Sequence, residues 1–179
     1  MNTLTKGIVV AVLHILIVLS LGGKLLYDRA NRPRVWVRTG SFDPDLPIRG
    51  RYVTLNLQVH APDLGTPESR AKERMYSMQY VELAVEKDPS GKDQLVAHKS
   101  DRSTDLSVTV WRTQPEQASR EMLLLSPAVA FFLPEHAEFP HLKSGEEIWA
   151  EVTVPRKGPP RPIQLALKRG TEWLPLSYR

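Results

Sequence analysis

Two hydrophobic rhythms divide the chain. Residues 7–23 carry no charge, with the run IVVAVLHILIVLS at their heart, and Leu25, Leu26 and Tyr27 prolong it past Lys24. At about 1.5 Å per residue, a helix over 7–27 crosses a hydrocarbon core of roughly 30 Å, with Lys24 snorkelling toward the headgroups. The pattern therefore predicts an N-terminal membrane anchor over residues 1–27, followed by a linker over 28–34 (DRANRPR). A cleaved signal peptide is the competing reading, because Ser20 and Gly22 are small residues at suitable spacing, but the apolar run is long for such a peptide and outlasts that cut.

From Val35 the rhythm changes to period two, the signature of half-buried strands. Over residues 52–60, Val53, Leu55, Leu57 and Val59 share one face opposite Thr54, Asn56 and Gln58. Val81, Leu83 and Val85 alternate with Tyr80, Glu82 and Glu86, and the turn DPSG at 88–91 leads into a return strand over 94–98, which makes a hairpin. Leu106, Val108 and Val110 repeat the alternation, as do Ile148, Ala150, Val152 and Val154, and after the turn PRKGPP the residues Ile163, Leu165 and Leu167 close a second hairpin. The 15 Pro and 10 Gly fall mostly between these runs. Many short strands joined by turns predict a mainly β fold over residues 35–179, an antiparallel sandwich or a partly open barrel. Thr66, Pro67 and Glu68 before SRAKERM also suit the start of a short surface helix.

Charge adds a location. Six of the 24 Lys and Arg (Lys6, Lys24, Arg29, Arg32, Arg34 and Arg38) and one of the 20 acidic residues precede Thr39, which leaves 18 basic against 19 acidic from there on. The formal +4 of the chain is thus juxtamembrane, and nucleic acid is excluded as the expected partner. The chain has no Cys, so a disulfide scaffold, a thiolate zinc site and a Cys nucleophile are excluded. Counting basic residues on either side of the span favours a cytoplasmic β domain. A short tail with one Lys before an apolar stretch favours export. His14 in the span is a lone neutral imidazole with no carboxylate near it in sequence, and reads as incidental.

Residues 38–59 read RTGSFDPDLPIRGRYVTLNLQV, and through Asp43, Pro44, Asp45, Arg49, Gly50, Tyr52 and Leu55 they resemble the GDYXXLXY family of membrane-anchored bacterial proteins. Two positions depart: Arg51 stands where the family has Asp, and Leu57 where it has the second Tyr. The resemblance extends through VELAVEKDPSGKDQLVAHK, FFLPE at 131–135 and the last hairpin, covering residues 35–168. It implies a domain exported across the inner membrane on an N-terminal anchor, and so decides the orientation toward the periplasm. From the residues alone, Asp43-Pro44 fixes an extended residue before a turn, Gly50 permits left-handed or closely approached backbone, and Tyr52 opens a strand whose buried face begins at Val53.

The enzymatic alternative is carried by Ser41. SFDPDL, four residues before Gly-x-Tyr-Val, is similar to the nucleophile box of signal peptidases, whose chemistry needs a desolvated Lys beside the Ser. Lys99 and Lys168 are the strand-end candidates, each among charged neighbours. Glu135, His136, Glu138 and His141 hold metal-ligand types, but the spacing of the two His, with Pro140 between, is not a helical pair and suits a solvated loop. No cofactor motif occurs. Trp36, Trp111 and Trp149 lie opposite the apolar stripes of their strands, so either the sheet is covered on both faces or these rings form a contact surface, the latter suiting a ligand-binding module. The expectation is an anchored periplasmic β domain without metal, cofactor or catalysis, acting beside a multi-spanning membrane protein.

Residues 7–27 are expected to remain in the mature protein and to hold it in membranes through high-salt and alkaline washing. An amino terminus found at Gly23 would contradict this.

Overall fold

The computed structural model describes residues 2–40, 52–65, 77–110, 122–134 and 142–177. The chain divides into two compact units, 1–32 and 33–179.

The first unit is one helix, α1 (Thr3–Asn31), 29 residues long and apolar enough to cross a membrane. Its large apolar side chains, Ile8, Leu13, Ile17 and Leu21 among them, are exposed. The helix runs past the expected end at Tyr27 and takes up Asp28, Arg29, Ala30 and Asn31. Asp28 explains this, since its carboxylate accepts from Arg32 Nε at 3.1 Å and its carbonyl from Arg32 N at 2.9 Å, while Asn31 Nδ2 donates to the Tyr27 carbonyl at 3.0 Å. Pro33 disfavours helix at the residue before it and ends the helix there. The connection to the first strand is therefore Arg32 and Pro33 alone.

The second unit is mainly β. An open antiparallel sheet has the order β1 (Arg34–Arg38), β9 (Glu146–Thr153), β10 (Arg161–Arg169), β11 (Glu172–Leu176). A two-stranded ribbon joins β2 (Tyr52–Leu55) to β8 (Val129–Phe132). A closed barrel has the order β3 (Gln58–His60), β5 (Asp93–Lys99), β4 (Ser77–Lys87), β6 (Ser107–Val110), β7 (Met122–Ser126), with β7 returning to β3. All pairings are antiparallel except β3 with β5, where His60 faces Val96.

The period-two stripes form the core. Val35, Val37, Val53, Leu55, Leu57, Val59, Val81, Val108, Ile148, Ala150, Val152, Leu165 and Leu167 belong to one buried cluster. Leu83 and Val85 are only half-buried and pack against its edge. The stripe expected as one strand over 52–60 is two strands. At Asn56 the chain leaves β8 and enters the barrel, with Leu57 bridged to Thr39 and its carbonyl accepting from Leu125 N at 2.8 Å. The turn after β4 is built as its sequence suggests: Asp88 Oδ1 accepts from Ser90 N, Ser90 Oγ and Lys92 N at 2.8, 2.6 and 2.9 Å, and Gly91 has φ +82°. The two similar hairpins lie in different sheets, β4–β5 in the barrel and β9–β10 in the open sheet. The short helix expected from Thr66 lies outside the described residues.

Leu55→Asp should abolish the fold, because an unpaired charge in a fully buried position costs several kcal/mol against a total of about 5–15 kcal/mol. Leu83→Asp should leave a folded protein with a lower urea midpoint, since Leu83 keeps part of its surface in water. Far-ultraviolet spectra along a urea titration check both.

Candidate functional site

The open sheet turns one face to the core and carries an aromatic cluster on the other. Side chains alternate along strands, so the outer face presents Arg34, Trp36 and Arg38 from β1, Glu147, Trp149 and Glu151 from β9, Ala166 and Lys168 from β10, and Trp173 from β11. The rings of Trp36 and Trp173 meet edge to face, with centroids 5.0 Å apart and an interplanar angle of 90°, and Trp149 lies 5.5 Å from Trp173 at 57°. Ala166 faces Trp149 on one side and Pro175 on the other and is fully buried, although its neighbours Leu165 and Leu167 point to the main core. Both faces of the sheet are thus covered, the outer one by its own tryptophans. Polar groups rim the cluster: Trp149 Nε1 donates to Glu147 at 3.0 Å, the other Glu147 oxygen pairs with Arg38 at 2.9 Å, and Lys168 Nζ lies 5.1 Å from the Trp149 ring centroid in cation–π geometry.

A second constellation lies on the outer face of the β4–β5 hairpin. His98 Nδ1 lies 2.9 Å from Asp63 Oδ2, and Nε2 lies 2.7 Å from Glu86 Oε1. Asp63 belongs to the 3-10 turn Pro62–Leu64 after β3, and its Oδ2 also accepts from Lys99 N at 3.3 Å. The cross-strand neighbour of His98 is Glu82, whose carboxylate accepts from Ser100 Oγ at 3.4 Å, so two carboxylates, those of Asp63 and Glu86, hold the imidazole. Bonds to Glu86 and Asp63 hold the His98 pKa above its ordinary value, and the bond to His98 holds that of Asp63 below its own. Both nitrogens bond to carboxylates only when both carry protons, so His98 works as a charged clip that fastens the 3-10 turn to the hairpin.

The residues singled out in the sequence are not gathered into one site. Ser41, Asp43, Pro44, Asp45, Arg49, Gly50, Trp111, Glu135, His136, Glu138 and His141 lie outside the described residues. Lys99 is exposed on β5, and Lys168 sits over Trp149 at the far end of the open sheet. Tyr52 opens β2 on its exposed side, paired with Phe132, and Leu55 is fully buried. Among the described residues no three His, Asp or Glu side chains are arranged to hold a metal ion. Trp36 and Trp149 fall in the aromatic cluster, whereas Trp173 and the His98 clip carried no sequence signal beyond the hairpin register that sets Glu82 and Glu86 on the face of His98. No family model matches the chain, and neither do any of the curated proteins or the solved structures.

The clip sets a pH dependence. Because folding raises the His98 pKa, its contribution is fully present below the unfolded imidazole value of about 6.5 and is lost as pH rises through the higher folded value. Asp63 has the opposite sign, contributing above the unfolded carboxylate value of about 4 and losing that contribution as pH falls. The clip is therefore strongest between about pH 4 and 6.5. With His98 and Asp63 both well exposed to solvent, its worth is expected at about 0.2–1 kcal/mol. Urea midpoints should fall from pH 6 to pH 9, and His98→Gln should remove most of that fall.

Proposed function

We propose that the chain is a single-pass protein of the bacterial inner membrane, with its β unit in the periplasm, that acts by binding beside a multi-spanning membrane protein and performs no catalysis. The observation that carries this reading is the exposed aromatic pair on the β2–β8 ribbon. Phe132 is 75% exposed and Tyr52 37% although both lie in strands, and their rings are 6.1 Å apart. Large rings held open on a rigid ribbon are what protein interfaces use as anchors. In the aromatic cluster of the open sheet Trp173 is 38% exposed, but its ring packs against those of Trp36 and Trp149.

The register adds a direction. Thr39 bridges Leu57 in antiparallel sense, so Tyr52 lies beyond that bridge, on the side away from Arg34, where the chain enters the unit. Tyr52 of the segment that resembles the GDYXXLXY proteins and Phe132 of FFLPE, another part of that resemblance, are register partners in this ribbon.

A photo-crosslinking residue at position 132 of the full chain should yield an adduct with a multi-spanning membrane protein. Phe132→Ala should lose capture of that protein from mild detergent while the urea midpoint moves by no more than about 1 kcal/mol equivalent. Undiminished capture by Phe132→Ala would refute the ribbon as the contact.

A further inference from the structure

The uncharged stretch of α1, residues 7–23, holds two polar side chains, His14 and Ser20, and the helix treats them differently. Ser20 Oγ donates to the Ile17 carbonyl at 2.9 Å, so its proton is used within the helix. His14 Nδ1 lies 2.8 Å from the Val10 carbonyl. A carbonyl oxygen only accepts, so Nδ1 carries the proton of that bond, and in the uncharged ring Nε2 is left as an acceptor. Nε2 has no partner among the described residues. The same bond draws the ring back over the preceding turn, and on that side of the helix the residues three and seven positions earlier, Ala11 and Gly7, are small. A Cβ added at Gly7 would meet nothing within 4 Å, so the helix surface there is open to a neighbour.

His14 lies one position from the middle of this stretch. Lys6 and Lys24, the charges that bound it, are about 12 and 15 Å away along the helix axis. An imidazole cannot cover that distance to reach water, and an unpaired acceptor in hydrocarbon is costly, so the ring needs a donor within the bilayer. A second copy of the chain cannot supply one. Copies insert in the same direction, and a parallel pair brings Nε2 to Nε2, acceptor against acceptor, while the side-chain protons of the stretch are already given to carbonyls.

We infer that the side of α1 bearing Gly7, Ala11 and His14 docks on a transmembrane helix of a different protein, one that presents a hydrogen-bond donor, a hydroxyl, amide or indole N–H, to His14 Nε2 near the middle of the bilayer. The small residues let the two backbones approach, and the hydrogen bond, formed where water is absent, distinguishes the partner helix from the surrounding lipid. This rests on the proposed reading of the chain as a single-pass protein beside a multi-spanning one, and it gives that reading a contact within the membrane in addition to the β2–β8 ribbon. The test separates the two.

The chain has no cysteine, so Asn2→Cys, at a position whose side chain makes no cap bond, carries a single fluorophore. The full-length protein is reconstituted in phosphatidylcholine vesicles with synthetic polyleucine transmembrane helices that bear an acceptor dye and either one central Trp, whose indole donates and does not accept, or one central Phe. Energy transfer should show the Trp helix binding about threefold tighter than the Phe helix, the factor expected of one interhelical hydrogen bond, and His14→Leu should bring that ratio to about one. A ratio near one before the substitution, or an unchanged ratio after it, with the protein floating with the vesicles, overturns the docking and leaves the ribbon contact at Phe132 standing. Failure to float overturns the span and the docking together. In cells, a photo-crosslinking residue in place of Val18, one turn after His14, should yield an adduct peptide that is an apolar helix of another membrane protein with a donor side chain within it, and His14→Leu should abolish that adduct. No adduct, a peptide from α1 itself, or an adduct that survives His14→Leu overturns the inference.

Discussion

Three β systems meet where Thr39 and Gly40 cross Asn56 and Leu57, and the β unit depends on that crossing. The carbonyl of Ile148 accepts both the backbone N–H and the hydroxyl of Thr39, each at 2.9 Å, which ties the end of β1 to β9 in the open sheet. Thr39 also bridges Leu57, and Gly40 N donates to the Asn56 carbonyl at 2.6 Å, so the same stretch grips the point where β2 gives way to β3. Leu57 then accepts from Leu125 and begins the barrel. Thr39 is buried, and its hydroxyl would be costly there without a partner. Gly40 is constrained by space rather than by φ, since a Cβ on it would lie 2.9 Å from Leu124 Cδ2. A side chain at that position would have to displace a barrel residue to preserve the crossing.

Much of this architecture is legible in the sequence because one face of each strand is buried. Val53, Leu55, Val59, Ile148, Val152, Leu165 and Leu167 announce their strands by alternation, and Asp88 and Gly91 announce the turn between β4 and β5. The strands that alternation does not reveal are β7, β8 and β11. MLLLS and VAFF are apolar without a period, because Met122 and Leu124 are half-buried on the outward side of the barrel and Phe132 stands in solvent. In β11, Pro175 argues against a strand, and it is tolerated because β11 is the sheet edge, where a missing N–H costs no ladder bond. The division of residues 52–60 between two sheets was likewise hidden, since Asn56 continues the alternation even as its neighbours change partners.

Legibility of side-chain constellations follows sequence separation. Glu86 and His98 share a hairpin, whose register brings them to one face. Asp63 reaches the same imidazole from 35 residues away, and nothing local in PDL foretells it. Trp36 and Trp149 stand out as aromatic residues opposite apolar stripes, but the ring that joins them, Trp173, arrives on the strand that was least visible. The sheet beneath these rings is covered, since Ala166 is buried, while Trp173 keeps 38% of its own surface in solvent.

The pairing of β1 with β9 also governs timing. Arg34 and Thr153 are cross-strand partners, and Thr39 bonds to Ile148 across 109 residues. During synthesis at about 5–20 residues per second, β1 is finished on the order of 10 s before the strand that completes it exists. For that interval a short valine-bearing strand, two residues beyond the apolar helix α1, has its hydrogen-bonding edges open. Arg34 and Arg38 at its two ends then act as gatekeepers, charges that keep RVWVR from pairing with a neighbouring nascent chain before its own partner arrives.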